Sequence, residues 1–447
     1  MISYIKLNNF KSLNDVTLDL RDKNGIPKKM AFIYGENGAG KSNLISSLLF
    51  ISQTFETLTN QEKINELNSK QIDVNNDEVK EIIIKQFIRQ GFSTLSGLIK
   101  KAHTIGCKEN MRLELGLYIH GFPGIYILEF NNEEIIYEEL KYQISERMGI
   151  YFKISPNSFS LSPSIFHDKE YKKRLEEFID KYWGKHTFIS ILFYEIHHSN
   201  KKYFSERIHQ HLTRLLFGLK NISVLCNNSR GQQGRISLPY KFMRDLDKGK
   251  IDDPNDKELK AFEAILDTFF TTLYSDIKKA FYVFTKKDDS SFQYELTFSK
   301  LINGRIINIP CSLESTGTLK LLDIFPFIFA SLNHTDIFID EIESGIHDIL
   351  ISTIIDYLED AINGQFIATT HNTLLMNSLP QEYIYIIQTD YNGNKEITCM
   401  NKYSFRTQQS NNKQKKYLSG TYKGVPNIGY LDFEELVDDI KTYLKED

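Results

Sequence analysis

Four short stretches hold residue types that chemistry can use. GENGAGKS, Gly35 to Ser42, fits G-x-x-x-x-G-K-S in full. In that pattern Gly35, Gly38 and Gly40 let backbone N–H groups converge on phosphate oxygens, Lys41 neutralises β/γ-phosphate charge, and Ser42 can hold Mg²⁺. The nucleotide-binding set expected here is Gly35, Asn37, Gly38, Ala39, Gly40, Lys41, Ser42 and Asn43. IFIDEIESGIH, Ile337 to His347, is an apolar run ending in two acids: Asp340 to position Mg²⁺ and its waters, Glu341 to polarise an attacking water. FIATTHN, Phe366 to Asn372, brings an apolar run to His371, an imidazole able to hydrogen-bond a γ-phosphate and respond to its loss. The fourth stretch, LESTGTLKLL from Leu313 to Leu322, sets Ser315 and Gly317 at a helix start, where free N–H groups and the positive dipole end suit an anion. Singly, Ser315 reads equally as a helix cap beside Glu314, and a strand-end histidine is more often structural. The order P-loop, Asp-Glu, strand, His is what changes the weight.

These residues need elements to hold them. MAFIYG is an apolar run feeding a glycine loop, and SNLISSLLFISQTF places Leu44, Leu48, Phe50 and Ile51 near helical spacing. IFID and QFIATTH read as short buried strands of a parallel sheet, each followed by a helix. MRLELGLYI, IYILEF and IIYEELKYQ, separated by FPG and NNE, read as an antiparallel meander. From about residue 165 to 280 the period is helical: Tyr171, Leu175, Phe178, Tyr182; Ile208, Leu212, Leu215, Leu219; Leu259, Phe262, Leu266, Phe269, Leu273. That segment is expected to be a helical insertion forming an arm or lid. AFYVFT, FQYELTF and RIINIP return to strand patterning, and the polar QQSNNKQKK, Gln408 to Lys416, reads as a mobile loop. The fold class is therefore α/β: a P-loop parallel sheet plus an antiparallel β meander, with a helical insertion.

Composition narrows the partners. The 447 residues, 41% hydrophobic and 13% aromatic, can bury a large core, and a net charge of −4 gives no global pull toward polyanions. Cys107, Cys226, Cys311 and Cys399 are scattered and read as thiols of a reducing compartment. No run approaches the roughly 18 apolar residues of a membrane span, so no membrane partner and a cytoplasmic location are expected.

GENGAGKSNL, ESTGT, FIDEIESGIH and ATTHN, in that order, resemble the ABC-type ATPase heads of the SMC, RecF and OLD class. Together with YLSGTYKGVPNI they are similar to the stand-alone ATPases of the AbiL/RloA kind from bacterial abortive-infection and restriction-associated loci, the ATPase of PARIS-type defence being a neighbour. The resemblance spans roughly residues 1 to 60, 110 to 145 and 295 to 430. It implies a head whose N-terminal part, 1–150, carries P-loop and meander, an insertion or arm at 151–280, and a C-terminal part, 281–447, carrying signature, Asp340, Glu341, His371 and an extension. It further implies a head-to-tail dimer, in which Ser315 and Gly317 of one protomer close over the γ-phosphate held by the other's P-loop.

Departures are equally specific. ESTGT is a reduced signature, Gln53, Gln86 and Gln90 compete for the Q-loop place, and Ser344 to His347 lacks the usual D-loop pattern, so His347 receives no role. N-K-x-D is absent, with TKKD at Thr285 to Asp288 only a loose variant, which favours adenine and ATP. Beyond His371, Asp390 stands alone and Asp438 adjoins Asp439, so no Toprim-type metal site is expected. The short Lys/Arg runs read as solvated faces. The expected function is an ATP-driven sensor or regulatory subunit of an anti-phage system with a separately encoded effector, a Toprim-like nuclease; the alternative is a RecF-like ATPase that clamps DNA.

Overall fold

The computed structural model describes residues 1–69, 94–144, 147–199, 201–228, 231–235, 237, 241–288, 291–403, 412–425 and 433–443. In chain order the strands and helices are β1 (Ile2–Phe10), β2 (Leu13–Asp19), β3 (Met30–Tyr34), α1 (Lys41–Thr54), α2 (Thr57–Ser69) and α3 (Leu95–Ala102). There follow β4 (Met111–Ile119), β5 (Phe122–Phe130), β6 (Ile135–Ile144), β7 (Arg147–Ser155), β8 (Ser158–Leu161), α4 (Lys169–Tyr182), α5 (Phe188–His198), α6 (Lys201–Arg207) and α7 (Gln210–Lys220). Next come β9 (Ile222–Asn228), β10 (Gly231–Arg235), β11 (Lys248–Ile251), α8 (Lys257–Leu273), β12 (Ile277–Asp288), β13 (Ser291–Ile302), β14 (Arg305–Pro310) and α9 (Thr316–Ser331). The chain continues through β15 (Asp336–Ile339), α10 (Asp348–Ala361), β16 (Gln365–Thr369), α11 (Leu375–Ser378), β17 (Ile384–Thr389), β18 (Lys395–Cys399), α12 (Lys413–Leu418) and α13 (Phe433–Tyr443).

Two seven-stranded sheets and a smaller one organise these elements. The central sheet runs β10-β9-β15-β16-β3-β17-β18, with β9, β15, β16, β3 and β17 parallel and the two edge strands antiparallel. Every residue of β3, β15 and β16 is buried, the continuous apolar reading of strands covered on both faces. The meander sheet runs β2-β1-β4-β5-β6-β7-β8. A four-stranded sheet orders β11-β13-β12, with β14 also on β13.

Alternation along the central strands sends side chains into two cores. Ala31, Ile33, Phe338 and Ile367 face the meander sheet with α1 between; Phe32, Tyr34, Ile337 and Phe366 face α8, α9, α10 and the smaller sheet. Because α1 lies between two sheets it has no solvent face to speak of, and ten of its fourteen residues are buried. Phe50 of α1 meets Phe10 and Phe130 edge-on at 5.7 and 5.4 Å. The sheets are also stitched by polar groups. Gln365 of β16 accepts from Ile2 N at 2.8 Å and donates to the Ile2 and Lys28 carbonyls at 2.9 Å each, while the Met1 ammonium pairs with Asp336 at 2.8 Å.

The segment 151–280 differs from the expected helical arm. It contributes β9, which pairs in parallel with β15 inside the central sheet, and its helices α4, α5 and α7 bury Leu175, Ile191 and Leu215 in the same core as the meander and α1. The apolar stripes are helical as expected, but they face inward, and the short run ISVLC between two helical patterns is a buried strand. Of QQSNNKQKK, residues 408–411 lie outside the described residues and Lys413–Lys416 lie in α12.

Glu138 of β6 joins the meander to α5. Fully buried, its carboxyl accepts from Tyr126 Oη at 2.8 Å, Trp183 Nε1 at 2.9 Å and the Phe188 and Ile189 N–H groups at the start of α5, at 2.6 and 3.3 Å. Burial pushes this carboxyl up to about 7 against the pull of the four donors. Glu138→Gln turns an amide NH₂ toward donors and leaves at least one of them unsatisfied, so a urea-unfolding series should show a loss of about 1–3 kcal/mol. The exposed Glu133→Gln serves as reference, and equal midpoints for the two variants would remove Glu138 from the joint.

Candidate active site

Parallel register explains why residues far apart in sequence share one sheet edge. Ile339 pairs with Ala368 and with Leu225, and Thr369 pairs with Ile33. One or two steps past those pairs, all at the carboxyl ends of their strands, come Asp340 and Glu341, His371, and Gly35.

The loop after β3 requires its glycines. A Cβ on Gly35 would collide with Ile387 Cγ2 and sit 2.9 Å from the Ile387 carbonyl; Gly38 and Gly40 have φ of +83° and +102°. Asn37 and Gly38 are exposed, Ala39 is buried, and Ala39 N closes the turn onto Glu36 O at 3.2 Å. Gly40 begins α1 without any side-chain cap, whereas α9, α10 and α4 start with Ser315, His347 and Asp168 accepting N–H bonds. Lys41 Nζ folds over the loop, donating to the Gly35 and Glu36 carbonyls at 2.8 and 3.0 Å. Burial lowers its pKa against the opposing charges of Asp340, Glu341, Glu343 and Glu36. An uncapped helix start, a buried ammonium and a loop open to solvent at Asn37 fit a polyphosphate. Ser42 at that helix start and the carboxylate Asp340 supply the oxygen donors that Mg²⁺ takes.

The acids are held by a residue that the sequence reading passed over. Thr369 Oγ1 donates to Asp340 Oδ1 at 2.7 Å and accepts from Glu341 N at 2.8 Å. Glu341 has φ of +50°, a left-handed conformation costing on the order of 1 kcal/mol for a non-glycine residue. Glu343, two residues on, accepts from His371 N, and burial raises its pKa. The side chain of His371 is exposed at the surface; partial desolvation and Lys41 hold its pKa below the ordinary value, against Glu341. The net effect favours the uncharged imidazole.

Ser315 and Gly317 belong to a different place. Ser315 caps α9, accepting from Thr318 N at 3.2 Å, and Ser315 N donates to Glu314 Oε2 at 3.1 Å. A Cβ on Gly317 would lie 3.1 Å from the Gly345 carbonyl, so the signature turn packs on the Ser344–His347 turn. Among the described residues no hydrogen bond links Ser315 or Gly317 to the P-loop of the same chain. His347 caps α10, its Nδ1 accepting from Ile349 N at 3.3 Å. Gln53 lies in α1, and Gln86 and Gln90 lie outside the described residues; the strand that ends beside Asp340 is β9.

One basic residue joins the P-loop and another the helix after it, with no signal in the sequence. Lys395 of β18 donates to Ser12 Oγ at 2.7 Å and to the Gly38 carbonyl at 3.1 Å, and Ser12 Oγ also accepts from Asn43 Nδ2 at 2.7 Å. Lys11 donates to Ser46 Oγ at 2.7 Å, and burial lowers its pKa against Cys226 and Asp340. Lys395 reaches across 383 positions of sequence, which no local pattern can foreshadow.

Lys395→Met keeps the length of the side chain and loses its charge-assisted bonds to the loop. By equilibrium binding of ATP with Mg²⁺, affinity should fall about tenfold or more, the equivalent of roughly 1.5–3 kcal/mol for such bonds, with most of it regained in Lys395→Arg. Unchanged affinity in the Met variant would make Lys395 a bystander of the loop.

No protein of curated function matches the chain. Solved structures that are similar to it include an SMC head bound to the C-winged helix domain of ScpA, at 13% identity and TM-score 0.41, covering 89% of this chain and 97% of that one. The SMC head domain from Thermotoga maritima gives 13% and 0.38, over 89% and 98%. The Smc head with an extended coiled coil bound to the C-terminal domain of ScpA derived from Pyrococcus furiosus gives 13% and 0.37, over 89% and 95%. The family described as "AAA domain, putative AbiEii toxin, Type IV TA system" matches residues 30–377, a span holding the P-loop, Asp340, Glu341 and His371 and most of the chain's length, so the chain belongs to that family.

Proposed function

We propose that this protein is an ATP-hydrolysing regulatory subunit of a bacterial anti-phage system, one that dimerises around ATP as ABC-type heads do and controls a separately encoded effector, a Toprim-like nuclease. The observation that carries the ATPase reading is the meeting of Lys41, Asp340, Glu341 and His371 at one edge of the parallel sheet. The family's description, "putative AbiEii toxin, Type IV TA system", fits a chain that acts beside a second, separately encoded one.

In this reading Lys41 and the start of α1 bind the β- and γ-phosphates, while Ser42 and Asp340 hold Mg²⁺, which offsets phosphate charge when bound. Glu341, turned by its left-handed backbone and tied through Thr369, accepts the proton of the attacking water. His371 contacts the γ-phosphate and loses that contact on its release. Ser315 and Gly317 close over the γ-phosphate held by the P-loop of a second copy, Ser315 through its hydroxyl, since its own N–H is taken by Glu314.

Turnover and binding should separate. Glu341→Gln should keep ATP affinity while hydrolysis drops at least about a hundredfold, and Lys41→Ala should weaken binding itself. A parental rate in Glu341→Gln together with loss in Glu343→Gln would transfer the base to Glu343. Composite sites have their own signature. Ser315→Arg and Lys41→Ala chains, each inactive alone, should recover part of the activity when mixed, since one of the two sites in a mixed dimer keeps both halves. A verified mixed dimer without recovery would return Ser315 to a plain helix cap.

A further inference from the structure

Helices α4, α7 and α8 bury their apolar stripes, and α13 does not. Phe433, Leu436, Val437, Ile440 and Tyr443 recur at i, i+3, i+4, i+7 and i+10 on one face of α13, and all five are exposed, between 41% and 73%. The stripe spans about 15 Å of helix, a contiguous apolar surface of the kind that marks a binding site. Its surroundings are strongly acidic. Residues 432–447 hold seven acids and two lysines, a net charge of −5 against −4 for the whole chain, so the remainder of the chain is one charge positive.

The segment before α13 is keyed to the candidate active site. Tyr417 of α12 packs edge-on against Tyr34 at 5.8 Å, the residue preceding Gly35, and Tyr34 Oη donates to the Asn372 carbonyl at 3.0 Å. Gln414 donates to Thr373 Oγ1 at 2.9 Å and accepts from Asn377 Nδ2 at 3.0 Å, both just beyond His371. Tyr417 Oη is itself bound to the Gly424 carbonyl at 2.7 Å. Gln414 and Tyr417 of α12 thus touch both the strand that feeds the P-loop and the loop that carries His371.

We propose that α13 is a docking helix that lays its apolar stripe into a groove of a separate effector protein, a groove apolar at its floor and rimmed by lysine or arginine. Charge selects this occupant. An acidic helix is repelled by nucleic acid and by anionic membrane and is complemented by a basic rim, and a second copy of this chain is one of the outcomes of the test. The inference rests on the proposed function, to which it adds the contact surface and the chemistry of the partner.

The test uses the full chain and, as probe, the purified product of the gene adjacent to its own. Binding is measured by calorimetry at low and high salt, and ATPase activity is assayed in the same preparations. Leu436→Glu with Ile440→Glu should weaken binding at least about thirtyfold, as for loss of interface hot spots. Glu434→Lys with Asp438→Lys, which leaves the stripe intact, should weaken it several-fold, and the parental affinity should fall as salt rises. ATPase activity should be parental in both variants. No binding by the parental chain, equal binding by the Leu436/Ile440 variant, or a dimer of the chain alone that this variant dissolves would each overturn the proposal. ATPase-negative parental protein that still binds through α13 would instead remove the functional reading and leave the docking surface standing.

Discussion

The parallel register of β3, β16 and β15 is the constraint on which the site depends. A register slip of one residue would reverse the faces of every strand and drive Asp340 into a core. That register is held from both sides at once: Ala31 and Ile33 are locked into one core, Phe32 and Tyr34 into the other, and no strand can slide without exposing one set to the wrong neighbours. Helix α1 completes the lock. Wedged between two sheets, it cannot translate along its axis, so its uncapped start stays beneath the loop.

A site of this kind concentrates charge where burial is expensive. Lys41 is only 6% exposed, and Asp340 2%. Each buried ion would cost several kcal/mol in isolation. The loop carbonyls of Gly35 and Glu36 satisfy the ammonium, and Thr369 satisfies one oxygen of Asp340. The left-handed backbone at Glu341 belongs to the same economy, because it turns the acid out of the strand line and leaves Asp340 buried behind it.

Much of this was legible before any coordinates. The P-loop, the two acids after an apolar run and the histidine after another are local patterns, and local patterns report strand ends faithfully. What escaped was non-local. Lys395, Ser12 and Thr369 act through contacts between distant strands, and their own neighbourhoods carry no mark of it. The helical middle was misread for a related reason: stripes at 3.6-residue spacing tell which face is apolar and not whether that face covers a domain or projects from it. Strand β9 hid between two such stripes, because a run as short as ISVLC cannot by period alone be told from another helical turn.

Energy from the nucleotide can bias a partner only if the partner-binding surface differs between nucleotide states. Most of this molecule is poorly suited to such a difference, since both cores are continuous and sheets packed on two faces resist deformation. The joint of Tyr34, Tyr417 and Gln414 is suited to it. Tyr34 and Tyr417 meet at the rim of the second core, Gln414 bonds to Thr373 and Asn377, so the P-loop strand and the His371 loop share one neighbour, and α13 is exposed. A change at either loop therefore reaches α12 directly, and α12 precedes in sequence the helix whose apolar face the described residues leave uncovered.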